Sequence, residues 1–438
     1  METLDRLLGS LRECCAELPD KRTGKNGHYG MADIGLAAFS VFFMQSPSFL
    51  AHQQHLAQGQ GRSNCETLFG MTAIPSDNHI RAMLDPVGPE RFHPVFAAVI
   101  AELERSGGLA AFRRLGEHVL IALDGTEYFR SAKLSCANCS TRARAGERTS
   151  GALRDKTESF HSAVIAALVA PGHARVVPLE PEFIGPQDGA AKQDCESRAA
   201  RRWLAAHGPR YARLAPIYLG DDLYSRQPVC AAVLATGGHF LFVCKPDSHP
   251  TLQEYLTGIE LPEHVERHKH GRERFVYRYR WLAAAPLRDG KDALTVNWLS
   301  IEIVNPAGKV TYRNSFVTDL AIDASTVAEL AACGRARWKI ENETFNVLKT
   351  KGYHLEHNFG HGRDNLAAVL ATLNLLAFAC HTVCDLAAVA WQQAMATLGR
   401  RTRFFETLRS LTGYMIFPSW LDLLETLAFA RPPPPAAL

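Results

Sequence analysis

The chain of 438 residues has almost no net charge: 48 lysines and arginines stand against 45 acidic residues, a formal balance of +3. So slight an excess neither demands nor excludes nucleic acid, and it leaves any phosphate contact to the placement of charges. Long apolar runs are also missing. The most apolar stretch, Leu366 to Cys380, is too short to span a bilayer and contains Asn374, so a buried helix and no membrane partner are expected. The opening residues, Met1 to Leu8, include Glu2 and Asp5 and lack the basic-then-apolar layout of a secretory signal. No stretch repeats. Cysteine is present 11 times, an odd number, and mostly singly in apolar surroundings (Cys230, Cys244, Cys333, Cys380). That usage fits free, buried thiols in a reducing cytoplasm better than a disulfide framework. What remains is the composition of a folded protein, 47% hydrophobic and 21% charged, long enough for two or three structural units.

The texture along the chain suggests five parts. Residues 1–115 read as a helical region with the option of DNA binding: Met31 to Met44 is strongly apolar, and Arg91 to Arg105 mixes apolar and charged residues at helical spacing. Ala57 to Asn64, with two glycines among polar residues, reads as a loop. Residues 116–245 read as the first part of an α/β core. His118 to Leu123 and Pro216 to Gly220 are short apolar strands that each run out into acid, at Asp124 and at Asp221-Asp222. Ser135 to Lys156 reads as a long polar loop, and Ala190 to Ala206 as a helix. Residues 246–325 are β-rich. Residues 326–380 resume the core with a helix from about Ala324 to Lys351, interrupted near Gly334, and residues 381–438 are helical with a stiff proline tail, Pro432 to Pro435.

Two strands ending in aspartate and a later helix bearing Glu341 make a recognisable constellation. Magnesium prefers a few hard carboxylate oxygens and keeps positions for water and phosphate. A pair of such ions suits in-line displacement at phosphorus. The acids are far apart in sequence, so only the fold could unite them. Taken singly, each is as readily a turn residue or helix cap. Asp222 and Glu343 are rivals for the second and third positions.

Around the third acid, Arg337-Trp338-Lys339-Ile340-Glu341, with Phe345 and Lys349 beyond it, resembles the YREK region of insertion-sequence-four-type DDE transposases. Asp221-Asp222-Leu223-Tyr224 is similar to the second motif of that family, and Leu123-Asp124-Gly125-Thr126 to the first. The resemblance covers about residues 118 to 380; Gly334 stands where the family has tyrosine. It implies a ribonuclease H-like α/β core, with a β-rich insertion between the second Asp and the Glu helix and helical regions at both ends. It further implies DNA end cleavage and strand transfer with Mg²⁺ or Mn²⁺ held by Asp124, Asp221 and Glu341. Arg337 and Lys349 would contact DNA, transposon ends and target DNA would be the partners, and a homodimer would form on DNA in the bacterial cytoplasm, at the nucleoid. From its place at a strand end, Lys245 is a further candidate phosphate contact.

Other signals are weaker. Cys136 and Cys139 have zinc-ligand spacing, with His161 or Cys195 needed to complete a site, and an unmetallated loop is the default. His354, His357 and His361 cluster with Glu356 after the third motif. The cationic stretch with Arg142, Arg144, Arg148, Arg154 and Lys156 reads as a solvated surface or a phosphate track. Rival readings are a cleavage-dead or domesticated relative, a zinc-stabilised DNA-binding protein without catalysis, and a small-molecule phosphohydrolase.

Overall fold

The structure, a computed structural model, describes residues 3–23, 28–144, 156–186 and 194–429. It opens with helices α1 (Thr3–Ala16), α2 (Met31–Phe43), α3 (Phe49–Ala57), α4 (Gly59–Phe69), α5 (Asp77–Leu84) and α6 (His93–Arg105). α1 is amphipathic and buries Leu4, Leu7, Leu8 and Leu11 at helical spacing, whereas α2 is apolar all round and buried on nearly every side. α5 begins where the Ser76 side chain accepts a hydrogen bond from the His79 amide, a serine N-cap. The glycine-rich stretch expected as a loop forms most of α4 instead. Tertiary contacts override its low propensity: Asn64 Nδ2 donates to the carbonyls of Thr412 and Met415, 2.7 Å from each.

The α/β part follows in chain order as β1 (Arg113–Arg114), β2 (His118–Ser131), β3 (Ser140–Arg144), β4 (Lys156–Val169), β5 (Val177–Ile184), α7 (Glu196–Tyr211), β6 (Pro216–Gly220), α8 (Gln227–Ala235) and β7 (His239–Val243). Then come α9 (Pro250–Leu256), β8 (Glu263–His270), β9 (Glu273–Pro286), β10 (Thr295–Val304) and β11 (Val310–Thr318). All eleven strands share one mixed sheet in the order β3-β4-β2-β6-β7-β11-β10-β9-β8, with β5 also on β4 and β1 on β2. β4 runs antiparallel to both β2 and β5, while β2, β6 and β7 run parallel, with α7 and α8 as the crossovers before and after β6. Central strands are buried on both faces, which is why Val119 to Leu123 and Pro216 to Gly220 read as unbroken apolar runs. The β-rich stretch does not stand apart from this sheet: β11 pairs with β7 and carries β10, β9 and β8 outward.

Two local expectations differ from the structure here. β2 does not stop before Asp124 but continues antiparallel to β4 as far as Ser131. The segment expected as a loop contains β3, zipped onto β4 with Arg144 opposite Lys156. There, Arg142 forms ion pairs with Glu127 and Glu158, so it is committed within the chain. Arg148, Arg154 and the proline tail lie outside the described residues.

The chain ends in α10 (Val327–Arg335), α11 (Asn346–Thr350), α12 (Leu366–Ala387), α13 (Val389–Leu398), α14 (Arg401–Tyr414) and α15 (Trp420–Phe429). Between α10 and α11 the helical path tightens at Ala336–Trp338 and then widens into a π-helical turn, Ile340–Phe345. α12 is longer than expected, 22 residues, and long and apolar enough to cross a membrane. It is instead mostly buried inside the protein, packed on α2, α6 and β5. The terminal helices meet the opening ones, for example through Trp420 Nε1 donating to the Leu68 carbonyl and Arg409 donating to that of Met44.

Candidate active site

The parallel register of β2 and β6 sets the first two acids beside each other. Ala122 pairs with Leu219; two residues further along each strand come Asp124 and Asp221, at the point where β6 has ended. Tyr224, fully buried, turns back under this edge, and the Asp221 carbonyl accepts the Tyr224 amide at 3.1 Å. The third acid arrives from the π-helical turn, which packs on β2 and β4. Such turns widen a helix locally and often accompany functional sites.

Arg337 ties this arrangement together. Its guanidinium lies 2.7 Å from a Glu341 carboxylate oxygen and 3.5 Å from Asp124 Oδ2. One helical turn separates Arg337 from Glu341, so the first contact is local; the second spans 213 residues of sequence. Asp221 completes the set electrostatically. Burial, then the charge of Glu196, and with them the charges of Glu341 and Asp221, raise the Asp124 carboxyl to about 7, and Arg337 only partly opposes them. Asp124 is therefore a half-buried carboxylate among like charges, with the Arg337 guanidinium in reach. Relief of that repulsion by a divalent cation is what such a donor set is suited to.

The rivals occupy different environments. Asp222 is tied to the segment after β7, where its carboxylate accepts the Lys245 amide at 2.6 Å and the Ser248 hydroxyl, with His249 Nε2 3.7 Å away. It braces the turn after β6. Glu343 lies on the same π-helical turn as Glu341, but the carboxylate that Arg337 bridges to Asp124 is that of Glu341.

The site also contains a residue that sequence reasoning missed. Glu196, at the start of α7, has one carboxylate oxygen 2.7 Å from the Tyr224 hydroxyl and 3.2 Å from the Gly125 amide. Burial first, then nearby Asp221, raises its carboxyl above the ordinary range. The signal that could have found it is indirect. A buried tyrosine beside Asp221 needs an acceptor for its hydroxyl, and Gly125 beside Asp124 leaves room for one. A Cβ on Gly125 would lie 2.3 Å from Glu196 Oε2. Gly125→Ala is accordingly expected to cost about 1–3 kcal/mol in urea unfolding through overpacking. In a Glu196→Ala background most of that loss should vanish, the non-additivity of a direct contact.

The remaining expected contacts are spread out. Lys349 forms an ion pair with Glu356 at 2.9 Å. Lys245 lies at a groove formed with Arg278, Arg280 and Arg313 on the outer strands. The histidine cluster after the third motif divides: His357 packs edge-on against Phe359, while His361 leaves it to meet Cys139 and His161. Cys195 is exposed at the head of α7.

Among solved structures, the chain aligns with a piggyBac transposase in a synaptic complex with hairpin DNA. The TM-score is 0.37 and the identity 9%, over 94% of this chain and 77% of that one. A likeness of that degree decides neither fold nor activity. No protein family matches the chain, and no curated protein matches it in sequence.

Proposed function

We propose that the chain is a DDE-type transposase that cuts and joins DNA with Mg²⁺ or Mn²⁺ held by Asp124, Asp221 and Glu341. The observation that carries the reading is that Arg337 bridges Asp124 and Glu341, while the paired parallel strands β2 and β6 lead to Asp124 and Asp221 at the same edge. Support for a ribonuclease H-like core comes from the strand pattern: three antiparallel strands, then two parallel ones reached through helices, with the first and second acids on adjacent parallel strands. The strands β8 to β11 fall between the second and third acids in sequence, where the resemblance puts an insertion.

Bound divalent ions would activate the attacking oxygen and neutralise the departing one in an in-line displacement at phosphorus. In the first step water attacks, and the bond from phosphorus to the 3′ oxygen at the element end breaks. In the second, the freed 3′ hydroxyl attacks a target phosphate and displaces that strand's own 3′ oxygen, so one phosphodiester bond forms as another breaks. Arg337, released from its carboxylates once a cation balances them, has the forked geometry to grip a phosphate. Two element ends cut together call for two copies of the chain on DNA.

The deciding experiment is cleavage of double-stranded element ends with Mg²⁺. Wild type should cut, Asp124→Ala, Asp221→Ala and Glu341→Ala should not, and Glu343→Gln should. Mg²⁺-independent DNA binding without any cleavage would sink the reading in favour of a non-catalytic DNA-binding protein. A second outcome concerns the groove at Lys245. Lys245→Glu is expected to weaken DNA binding and to reduce the slope of log affinity against log salt by about 1, as one lost phosphate contact does. Filter binding across a salt series checks it.

A further inference from the structure

A second constellation lies away from the acids, on the other side of β4's pairing with β2. Cys136 and Cys139 belong to the turn before β3, His161 is on β4, and His361 lies in the segment between α11 and α12. Cys139, His161 and His361 are buried and Cys136 is half-buried. The two sulfurs are 3.8 Å apart. Sulfur to imidazole Nε2 measures 3.5 Å from Cys136 to His161, 3.4 Å from Cys139 to His161 and 3.4 Å from Cys139 to His361. The two Nε2 atoms are 3.2 Å apart.

Those separations are five of the six edges of one tetrahedron, and the sixth, from Cys136 to His361, is within 4.8 Å. Zinc bonds of ~2.3 Å to sulfur and ~2.05 Å to nitrogen, set at tetrahedral angles, require about 3.8 Å between sulfurs, about 3.5 Å from sulfur to nitrogen and about 3.3 Å between nitrogens. His361 Nδ1 is 3.0 Å from the Gly362 carbonyl, a bond that places the ring proton on Nδ1 and turns the Nε2 lone pair inward, toward the Cys139 sulfur and the His161 ring. The Cys136 amide also donates to the Cys139 sulfur at 3.4 Å. Two thiolates and two neutral imidazoles bring two negative charges, so a divalent ion makes the buried site neutral.

We propose that Cys136, Cys139, His161 and His361 form a closed structural site for zinc. Binding displaces two thiol protons and leaves no position open for water, so the site is not a second reaction centre. Its effect is mechanical. It fastens the segment that follows the Glu341 helix to the strand paired with the one bearing Asp124. That segment is also held where Asn138 Nδ2 donates to the Asp364 carbonyl at 2.7 Å, and where Asp85 accepts the Arg363, Asp364 and Leu366 amides. The histidine from the far side is 200 residues from His161 in sequence, so the metal would join elements that local structure alone does not hold together.

The test uses the full chain, purified without chelator, and elemental analysis. One equivalent of zinc per chain is expected, retained in Asp124→Asn and lost in Cys139→Ser. Because the serine variant could fail to fold, wild type is also stripped and titrated with Co²⁺. Intense visible d–d bands and sulfur-to-cobalt charge transfer are expected, saturating at one equivalent. Amides between Leu355 and Asn365 should exchange faster in the stripped chain and recover on adding zinc. Substoichiometric zinc together with a Co²⁺ titration lacking those bands would overturn the proposal. So would mass analysis showing Cys136 and Cys139 joined as a disulfide in the purified chain.

Discussion

Asp124→Asn is expected to abolish cleavage and yet yield a more heat-stable protein. The carboxyl is held at about 7, against about 3.9 for a solvated aspartate. A carboxyl raised on folding contributes its full stability below the unfolded value and loses it as pH climbs through the folded one. Between about pH 4 and pH 7 the metal-free fold is therefore progressively penalised, and by pH 8 ionised Asp124 costs up to about 4 kcal/mol. Solvent reaching the site lowers that figure, since 15% of the side chain remains exposed. Asparagine carries no charge and escapes the penalty. Thermal unfolding at pH 8 without metal should show Asn above wild type, with the gap shrinking toward pH 5. Added Mg²⁺ should stabilise wild type at pH 8 and do little for Asp124→Asn. Loss of the transition-state charge stabilisation that metals supply, several kcal/mol, should reduce cleavage roughly a thousandfold or more. A variant that is destabilised at pH 8, or stabilised equally at both pH values, would contradict the crowded-carboxylate account of this site.

The two halves of the site were not equally legible in the sequence. Asp221 stood out because β6 is short, buried on both faces and ends where its apolar run ends. Asp124 was singled out for a partly mistaken reason. The apolar run does stop there, but the strand does not, since beyond it β2 keeps only β4 as partner and can carry Glu127 and Arg130 on a less buried ladder. Glu341 and Arg337 shared a helical face by spacing alone, whereas the contact from Arg337 to Asp124 depends on how the helix lies across the sheet, and no local pattern encodes that. Glu196 was missed for the same reason: its partners are the Tyr224 hydroxyl and the Gly125 amide, both distant in sequence. β3 was hidden because its alternation is polar on both sides and its stability comes from cross-strand pairs such as Arg142 with Glu158. The Cys136–Cys139 spacing was visible, but its fourth partner, His361, was grouped with its sequence neighbours instead of with the strand it meets in space.

Arg337→Ala should separate cation binding from chemistry by moving them in opposite directions. In the metal-free protein the guanidinium occupies the space between Asp124 and Glu341 and supplies the one positive charge that lowers the Asp124 carboxyl. A divalent ion drawn to the same oxygens must compete with it. Removing the guanidinium takes away that competitor, so the Mg²⁺ concentration needed for half-maximal cleavage should fall several-fold. The same change removes the group placed to hold a phosphate in a bidentate grip, and the rate at saturating Mg²⁺ should drop about a hundredfold, the effect of roughly 2–3 kcal/mol. Arg337→Lys keeps the charge and loses the fork, so its metal requirement should stay near that of wild type while its rate recovers only in part. Damage to the fold would weaken metal binding and rate together, as would loss of a residue that merely props up the helix. Single-turnover cleavage across a Mg²⁺ series distinguishes these cases. If the alanine variant needs more Mg²⁺ than wild type, Arg337 is a strut for Glu341 and not a counter-ion that gives way to the metal.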